Sequence, residues 1–277
     1  MGTIDPDQFF ETPILIVAPH MDDETLACGG LIARLSRKDQ VHVIYATDGM
    51  KSPAPVFAGH GSISPDLGEV RVRESIRAMT YLGLPEQNLC FYRYPEAELR
   101  KNGEALSRRL AGSLAEIKPA TIFVPFRYDR HPDHLAVNHA LGALNPGFSV
   151  QVVEYFVYYR WRLLPAKDIR RYIRPEHLLE VDIADVSARK RTALDCFTSQ
   201  TTIYYDWQTR PILRPELLDE ECRNPEIFLL SNLGSPGSAV FSRGVLWIKM
   251  AHRLEPFLQR WKYYVSVWLK QGRRANA

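Results

Sequence analysis

Two short turns concentrate the side chains that could do chemistry. One reads Ala18-Pro19-His20-Met21-Asp22-Asp23-Glu24, and the other Arg127-Tyr128-Asp129-Arg130-His131-Pro132-Asp133-His134. Acids at a helix start complement the macrodipole and cap free N–H groups, and Pro and Asp favour turns, so each segment alone has a structural explanation. Together they supply imidazole and carboxylate, the donor set of a catalytic zinc, from two separate places in the chain. Such a site forms only if both turns reach the same edge of one sheet.

The elements around them predict that arrangement. Short β-rich runs alternate with stretches of helical periodicity, the pattern of a parallel sheet covered by helices. Strands are expected at Ile14–Ala18, Val41–Ala46, Leu89–Tyr92, Thr121–Pro125 and Val152–Tyr159, most of them continuous apolar runs, as buried parallel strands require. Three apolar stripes mark helices: Cys28, Leu31, Ile32 and Leu35; Val72, Ile76, Met79 and Leu82; Leu106, Leu110, Leu114 and Ile117. The first turn follows the first strand and the second turn follows the fourth. Both therefore lie at carboxyl ends of strands, where open α/β sheets bind ligands. Met50 to Glu69, rich in Gly, Pro and Ser, leaves a strand at the same edge and is expected to form a substrate-facing loop or lid.

Beyond Arg160 the pattern is weaker, with a helix expected over Val186 to Phe197 and irregular structure over Trp207 to Pro215. The fold class that follows is α/β: a Rossmann-like, doubly wound, mostly parallel sheet with helices on both faces and a C-terminal helical appendage. Residues 1–235 form the expected main domain and 236–277 a basic amphipathic helical extension. Dinucleotide binding is excluded at the first turn, which has no glycine where a pyrophosphate must approach the backbone; Gly29 and Gly30 fall inside the helix.

Composition narrows the classes further. The 277 residues are 45% hydrophobic and 24% charged, ordinary for a globular protein, and four scattered cysteines suggest neither a disulfide framework nor a cysteine metal site. A reducing cytosol fits. Met1 to Thr12 carries three acids and no base, unlike a secretory signal, and no apolar run is long enough to span a bilayer. Phe241 to Ala277 holds eight Lys or Arg against one Glu, so a tail of +7 sits on a body of −4. In that tail Leu254, Phe257, Leu258, Trp261, Tyr264, Val265 and Trp268 share a helical face. It is expected to pack on its own domain, on a second subunit, or peripherally on an anionic inner membrane surface. The body lacks the broad basic face of a nucleic-acid binder.

At the two turns the sequence resembles the PIG-L/LmbE-like family of zinc-dependent N-acetylglucosaminyl deacetylases, which carry a His-Pro-Asp-Asp-Glu turn and a later His-Pro-Asp-His turn. The likeness runs from Ile14 to Leu144 and includes Arg71-Val72-Arg73-Glu74, Thr47-Asp48-Gly49 and Leu82-Gly83, with a weaker echo in Ser199-Gln200; Met21 stands where the family usually has Pro. The resemblance implies that His20, Asp23 and His134 hold a zinc ion, with water in an open position. It implies Asp22 as general base, and His131 as stabiliser of the oxyanion or proton donor to the leaving amine. Asp133 would orient His131, Arg71 or Arg73 would hold substrate oxygens, and Glu24 and Asp48 would be supports. The implied reaction removes acetyl from an N-acetyl amino sugar or glycoconjugate. The competing readings are an amidase for another sugar-conjugate amide, and a catalytically silent carbohydrate-binding protein.

Overall fold

The computed structural model describes residues 2–53, 62–144, 147–223, 225–231, 240–241, 248–251 and 253–254. Eight strands form one sheet: β1 (Gly2–Thr3), β2 (Ile14–Ala18), β3 (Val41–Thr47), β4 (Leu89–Tyr94), β5 (Thr121–Pro125), β6 (Gln151–Tyr155), β7 (Leu178–Val181) and β8 (Glu226–Ser231). Their order is β1-β7-β8-β6-β5-β2-β3-β4, parallel everywhere except where β8 pairs antiparallel with β6 and β7. The helices are α1 (Pro6–Phe9), α2 (Asp23–Arg34), α3 (Leu67–Leu82), α4 (Gly103–Ile117), α5 (Pro132–Gly142), α6 (Ser187–Asp195), α7 (Thr198–Thr201) and α8 (Pro215–Arg223).

The period of two along β2 explains why both faces are covered. Ile14, Ile16 and Ala18 pack into one core with α2, α3 and α6, while Leu15 and Val17 pack into the other with α4 and α5. The expected doubly wound α/β class is therefore the observed one. β2 pairs β3 on one side and β5 on the other, with Ile14 opposite Thr121 and Ile16 opposite Phe123. Chain order reverses at that point. The turns after β2 and β5 leave neighbouring strands there, so their side chains meet at the edge where such sheets bind ligands.

A buried ion pair fixes α2, whose first turn carries the acids. Glu226 accepts hydrogen bonds from the backbone N–H groups of Gly30 and Leu31, each at 2.7 Å, and pairs with Lys190 Nζ at 2.8 Å. Both side chains are fully or almost fully buried, so losing either leaves an unpaired interior charge at a cost of about 3–5 kcal/mol. A Cβ at Gly30 would lie 2.3 Å from Ile183 Cγ2, so only glycine admits this close approach.

Where the sequence reading and the structure differ, side-chain burial gives the reason. β6 ends at Tyr155, short of the expected Tyr159. Phe156 and Tyr159 continue the apolar run but, beyond the end of the strand, are buried in a separate cluster with Trp161. β1, β7 and β8 were not anticipated, and α8 follows the stretch read as irregular. Of the basic extension, 248–251 and 253–254 are helical, Ile248 and Ala251 are buried against that same cluster, and Leu254 is exposed. The rest of the apolar face, Phe257 to Trp268, lies outside the described residues. No described helix is long and apolar enough to cross a membrane.

Candidate metal centre

The first turn is held open by backbone constraint. Asp22, the N-cap of α2, has φ 123°, a conformation that costs about 1–3 kcal/mol for a residue with a side chain and persists only where its surroundings enforce it. Here the enforcement is visible. Glu24, buried and raised to about 7 by burial, accepts from the Asp22 N–H at 3.1 Å, and Thr47 donates from both N and Oγ1 to the Pro19 carbonyl. Arg71 reaches in from α3 to the Met21 carbonyl, to the Gly49 carbonyl at 3.3 Å and to Asp22 Oδ2 at 3.4 Å. Gly49 has φ 68°, and a Cβ there would sit 2.6 Å from Met21 Cε, so the Thr-Asp-Gly turn requires glycine.

Three donor atoms converge beside this turn. His20 Nδ1 is 3.0 Å from Asp23 Oδ2, His134 Nε2 is 3.1 Å from that oxygen, and the two nitrogens are 3.3 Å apart. Ligands about 2.0–2.1 Å from a tetrahedral ion stand roughly 3.3–3.4 Å from one another, so this triangle fits a zinc-sized cation after a small expansion. The far sides of both rings agree. His20 Nε2 faces Asp133 Oδ2 at 3.2 Å, and His134 Nδ1 lies 3.2 Å from Asp129 Oδ2, an ion-pair approach off the hydrogen-bond line. Each carboxylate favours N–H on the nitrogen it faces, which turns the other nitrogen's lone pair toward the shared centre.

The electrostatics favour positive charge at that centre. Burial alone would depress the His20 imidazole, but Asp23 and Asp133 overcome it and raise the pKa to about 9; Asp129 and Asp23 likewise hold that of His134 well above its ordinary value. Burial opposes ionisation of Asp23, yet His134 and His20 keep its carboxyl well below the usual range.

His131, the N-cap of α5, adds a third imidazole within 4.8 Å of the other two. An all-histidine set is the looser one, because Asp23 Oδ2 is closer to both shared nitrogens and His131 Nδ1 already accepts from the Asp133 N–H at 3.3 Å. Burial and the neighbouring His20 and His134 lower the His131 pKa to about 3, so it is neutral with its proton on Nε2.

The pocket over this centre holds about 310 Å³ and is lined by His20, Asp22, Asp23, Arg71 and His131 among others. Burial pushes the Asp22 carboxyl up to about 8, against the pull of Arg71.

The expected residues thus come together with two differences. Arg73 is exposed and absent from the pocket lining, whereas Arg71 is buried within it. Asp133 orients an imidazole, but that of His20; only its backbone N–H meets His131. Its oxygens also accept from Ala97 N at 2.6 Å and Leu99 N at 3.2 Å, tying the loop after β4 to the site.

Glu24 and Asp48 are supports as expected, Asp48 accepting from Met50 N and Glu96 N. Glu74 accepts from Thr198 Oγ1, Ser199 N and Ser199 Oγ, and Gln200 bonds Ser52, which lines the pocket. Ser52, at the start of the expected loop, is thereby tied to the pocket wall.

Sequence reasoning missed the role of Asp129, although it stands in the second turn five residues before His134, and it missed Glu96 and Tyr158 in the lining. Asp129→Asn is expected to weaken zinc affinity about 10- to 100-fold with the fold retained. Competition against a chelating dye measures it, and unchanged affinity would remove Asp129 from the centre.

Residues 15–144 match the family model PIG-L: GlcNAc-PI de-N-acetylase. A probable N-acetyl-alpha-D-glucosaminyl L-malate deacetylase 2 from Bacillus anthracis is 32% identical over 137 residues, 47% of this chain and 58% of that protein's length. A 2'-N-acetylparomamine deacetylase from Streptomyces fradiae is 25% identical over 207 residues, 68% of this chain and 73% of that one. The crystal structure of the N,N'-diacetylchitobiose deacetylase from Pyrococcus horikoshii shares the fold, with a TM-score of 0.55 at 23% identity, covering 82% of this chain and 86% of that one. The likeness to the PIG-L family is thus carried by residues 15–144, just under half of the chain.

Proposed function

We propose that this protein is a zinc-dependent hydrolase that removes the acetyl group from an N-acetylated amino sugar or glycoconjugate. The observation that carries the reading is the triangle of His20 Nδ1, Asp23 Oδ2 and His134 Nε2, with sides of 3.0, 3.1 and 3.3 Å, in a pocket that also holds Asp22 and His131. These three side chains would hold the ion. When bound, zinc supplies Lewis-acid activation of water and of the amide carbonyl.

The chain's own groups do the rest. Asp22 takes the proton of the attacking water, a role suited to a carboxylate buried beside the ligands and steadied by Arg71. The Nε2–H of His131 donates to the carbonyl oxygen as it gains charge. The proton held by Asp22 passes to the departing nitrogen, releasing acetate and the amine. Arg71 lines the pocket and fixes the Asp22 turn.

The names of the relatives, deacetylases of N-acetyl sugars, support the acetamide as the bond cleaved. The purified protein is expected to carry about one zinc per chain, and to release acetate from at least one N-acetylglucosamine conjugate in a panel of free, nucleotide-linked, lipid-linked and oligomeric forms. Chelation should abolish the release and added zinc restore it. Stoichiometric zinc without acetate release from any of them would favour a binding protein instead.

A further inference from the structure

We propose that Ser52 is a specificity-determining residue whose hydroxyl accepts a hydrogen bond from one sugar hydroxyl, and that Glu74, Ser199 and Gln200 are positioning residues that fix it in that sense. The inference rests on the deacetylase reading. Glu74, which closes the Arg-x-x-Glu sequence on α3, and the Ser199-Gln200 pair take no part in the steps assigned to Asp22, His131 and Arg71. The structure joins them. All three side chains are buried, and a continuous run of hydrogen bonds leads through them to Ser52, which lines the pocket.

The sense of each bond follows from the one before it. Three donors converge on the Glu74 carboxylate: Thr198 Oγ1 at 2.7 Å, Ser199 N at 2.8 Å and Ser199 Oγ at 2.6 Å. Ser199 thereby spends its only proton on Glu74, so its oxygen can only accept, and it accepts from Gln200 Nε2 at 3.0 Å. The Ser52 carbonyl takes that nitrogen's other proton at 2.9 Å. Both neighbours require nitrogen at that end of the amide, which leaves Oε1 facing Ser52 Oγ, 3.1 Å away. An amide oxygen cannot donate. Ser52 therefore gives its proton to Gln200 and meets a ligand in the pocket with lone pairs alone. A sugar hydroxyl can donate or accept; against Ser52 it must donate. Reversing any bond in the run would set two acceptors or two donors face to face in the interior, so the arrangement holds one direction. The Gln200 main-chain carbonyl separately accepts from Leu213 N at 2.9 Å, a bond that side-chain substitution leaves in place.

The test uses the zinc-loaded full chain and an aryl N-acetylglucosaminide, with analogues in which one ring hydroxyl at a time is replaced by hydrogen or by fluorine. Fluorine cannot donate, so at the position that meets Ser52 both replacements should lower kcat/KM for acetate release alike, by about two- to tenfold and chiefly through KM. In Ser52→Ala the gap between the unmodified sugar and that pair should close. Glu74→Gln keeps the side chain's shape but can bring a donor to Ser199 Oγ; the Ser199 proton then turns to Gln200, the amide reverses, and the acceptor sense of Ser52 is lost. The same gap should therefore narrow in Glu74→Gln, and in Gln200→Met, with zinc still bound. If Gln200→Met fails to fold, Glu74→Gln decides. A drop by one common factor on every sugar in these two variants, with the gap intact, overturns the positioning roles. A fluoro analogue that outperforms its deoxy counterpart at that position, or the lack of any position whose loss Ser52→Ala removes, overturns the acceptor role and leaves the deacetylase reading standing. If no sugar releases acetate, the deacetylase reading fails, and calorimetric affinities of the same sugars decide. The same gap, closed by Ser52→Ala, upholds the inference; equal or undetectable binding overturns it.

Discussion

Asp22→Asn is expected to retain its zinc and lose about 10²- to 10⁴-fold in turnover, the usual cost of removing a general base. The substitution keeps the side chain's volume and its capacity to accept from Arg71, so the turn survives. What goes is the ability to take a proton. The backbone argues for this role independently of any motif. A positive φ of 123° at a residue with a Cβ is a standing expense, and glycine would remove it. The chain nevertheless keeps a carboxylate here, clamped by Glu24 and Arg71 in a buried position beside Asp23. A purely structural cap would be better served by Asn or Ser in ordinary geometry, and Asp22 makes no side-chain capping hydrogen bond. Acetate release and elemental analysis on the same sample check the expectation. If the variant loses its metal instead, Asp22 is a ligand and the base must be sought elsewhere.

The part of this architecture readable from sequence is the part written in local pattern. β2 to β5 are short apolar runs bounded by turns, and their helices carry clean stripes, so the switch point between β2 and β5 could be located before any coordinates. The ligand candidates were legible for the same reason, since two turns rich in His and Asp flank that point. The remainder depends on pairing across long separations. β1 has two residues, and β8 owes its position to antiparallel pairing with β6 and β7, about 75 and 48 residues away in sequence. The partner of each imidazole is likewise a matter of three-dimensional aim. Asp133 is two residues from His131, which makes that ring its natural partner on paper. In the helix, however, Asp133 is directed back across the β2–β5 edge to His20, 113 residues earlier. Arg71 and Arg73 differ by two positions on α3, a spacing that puts them on different faces, and only one face meets the pocket.

His131→Ala is expected to lower kcat by about 10²- to 10³-fold with a smaller change in KM, because its contact strengthens only as charge builds on the carbonyl oxygen. The sequence left two roles open for this residue, and its surroundings favour one. Its Nδ1 accepts from the Asp133 N–H, which leaves the ring proton on Nε2. Burial and the positive charge favoured at His20 and His134 hold the pKa to about 3, so the imidazolium is scarcely populated near neutrality. A ring that remains neutral is a poor proton carrier for the leaving amine but a good fixed donor to an oxyanion. Truncation also removes the N-cap of α5, and that loss costs about 0.5–2 kcal/mol of stability by itself. His131→Asn separates the two effects, since asparagine is a strong N-cap and keeps an N–H donor on a shorter arm. Thermal melting should recover fully in that variant while kcat recovers only in part. A kcat that tracks the melting temperature across both variants would reduce His131 to a cap, and a change confined to KM would make it a substrate-binding group.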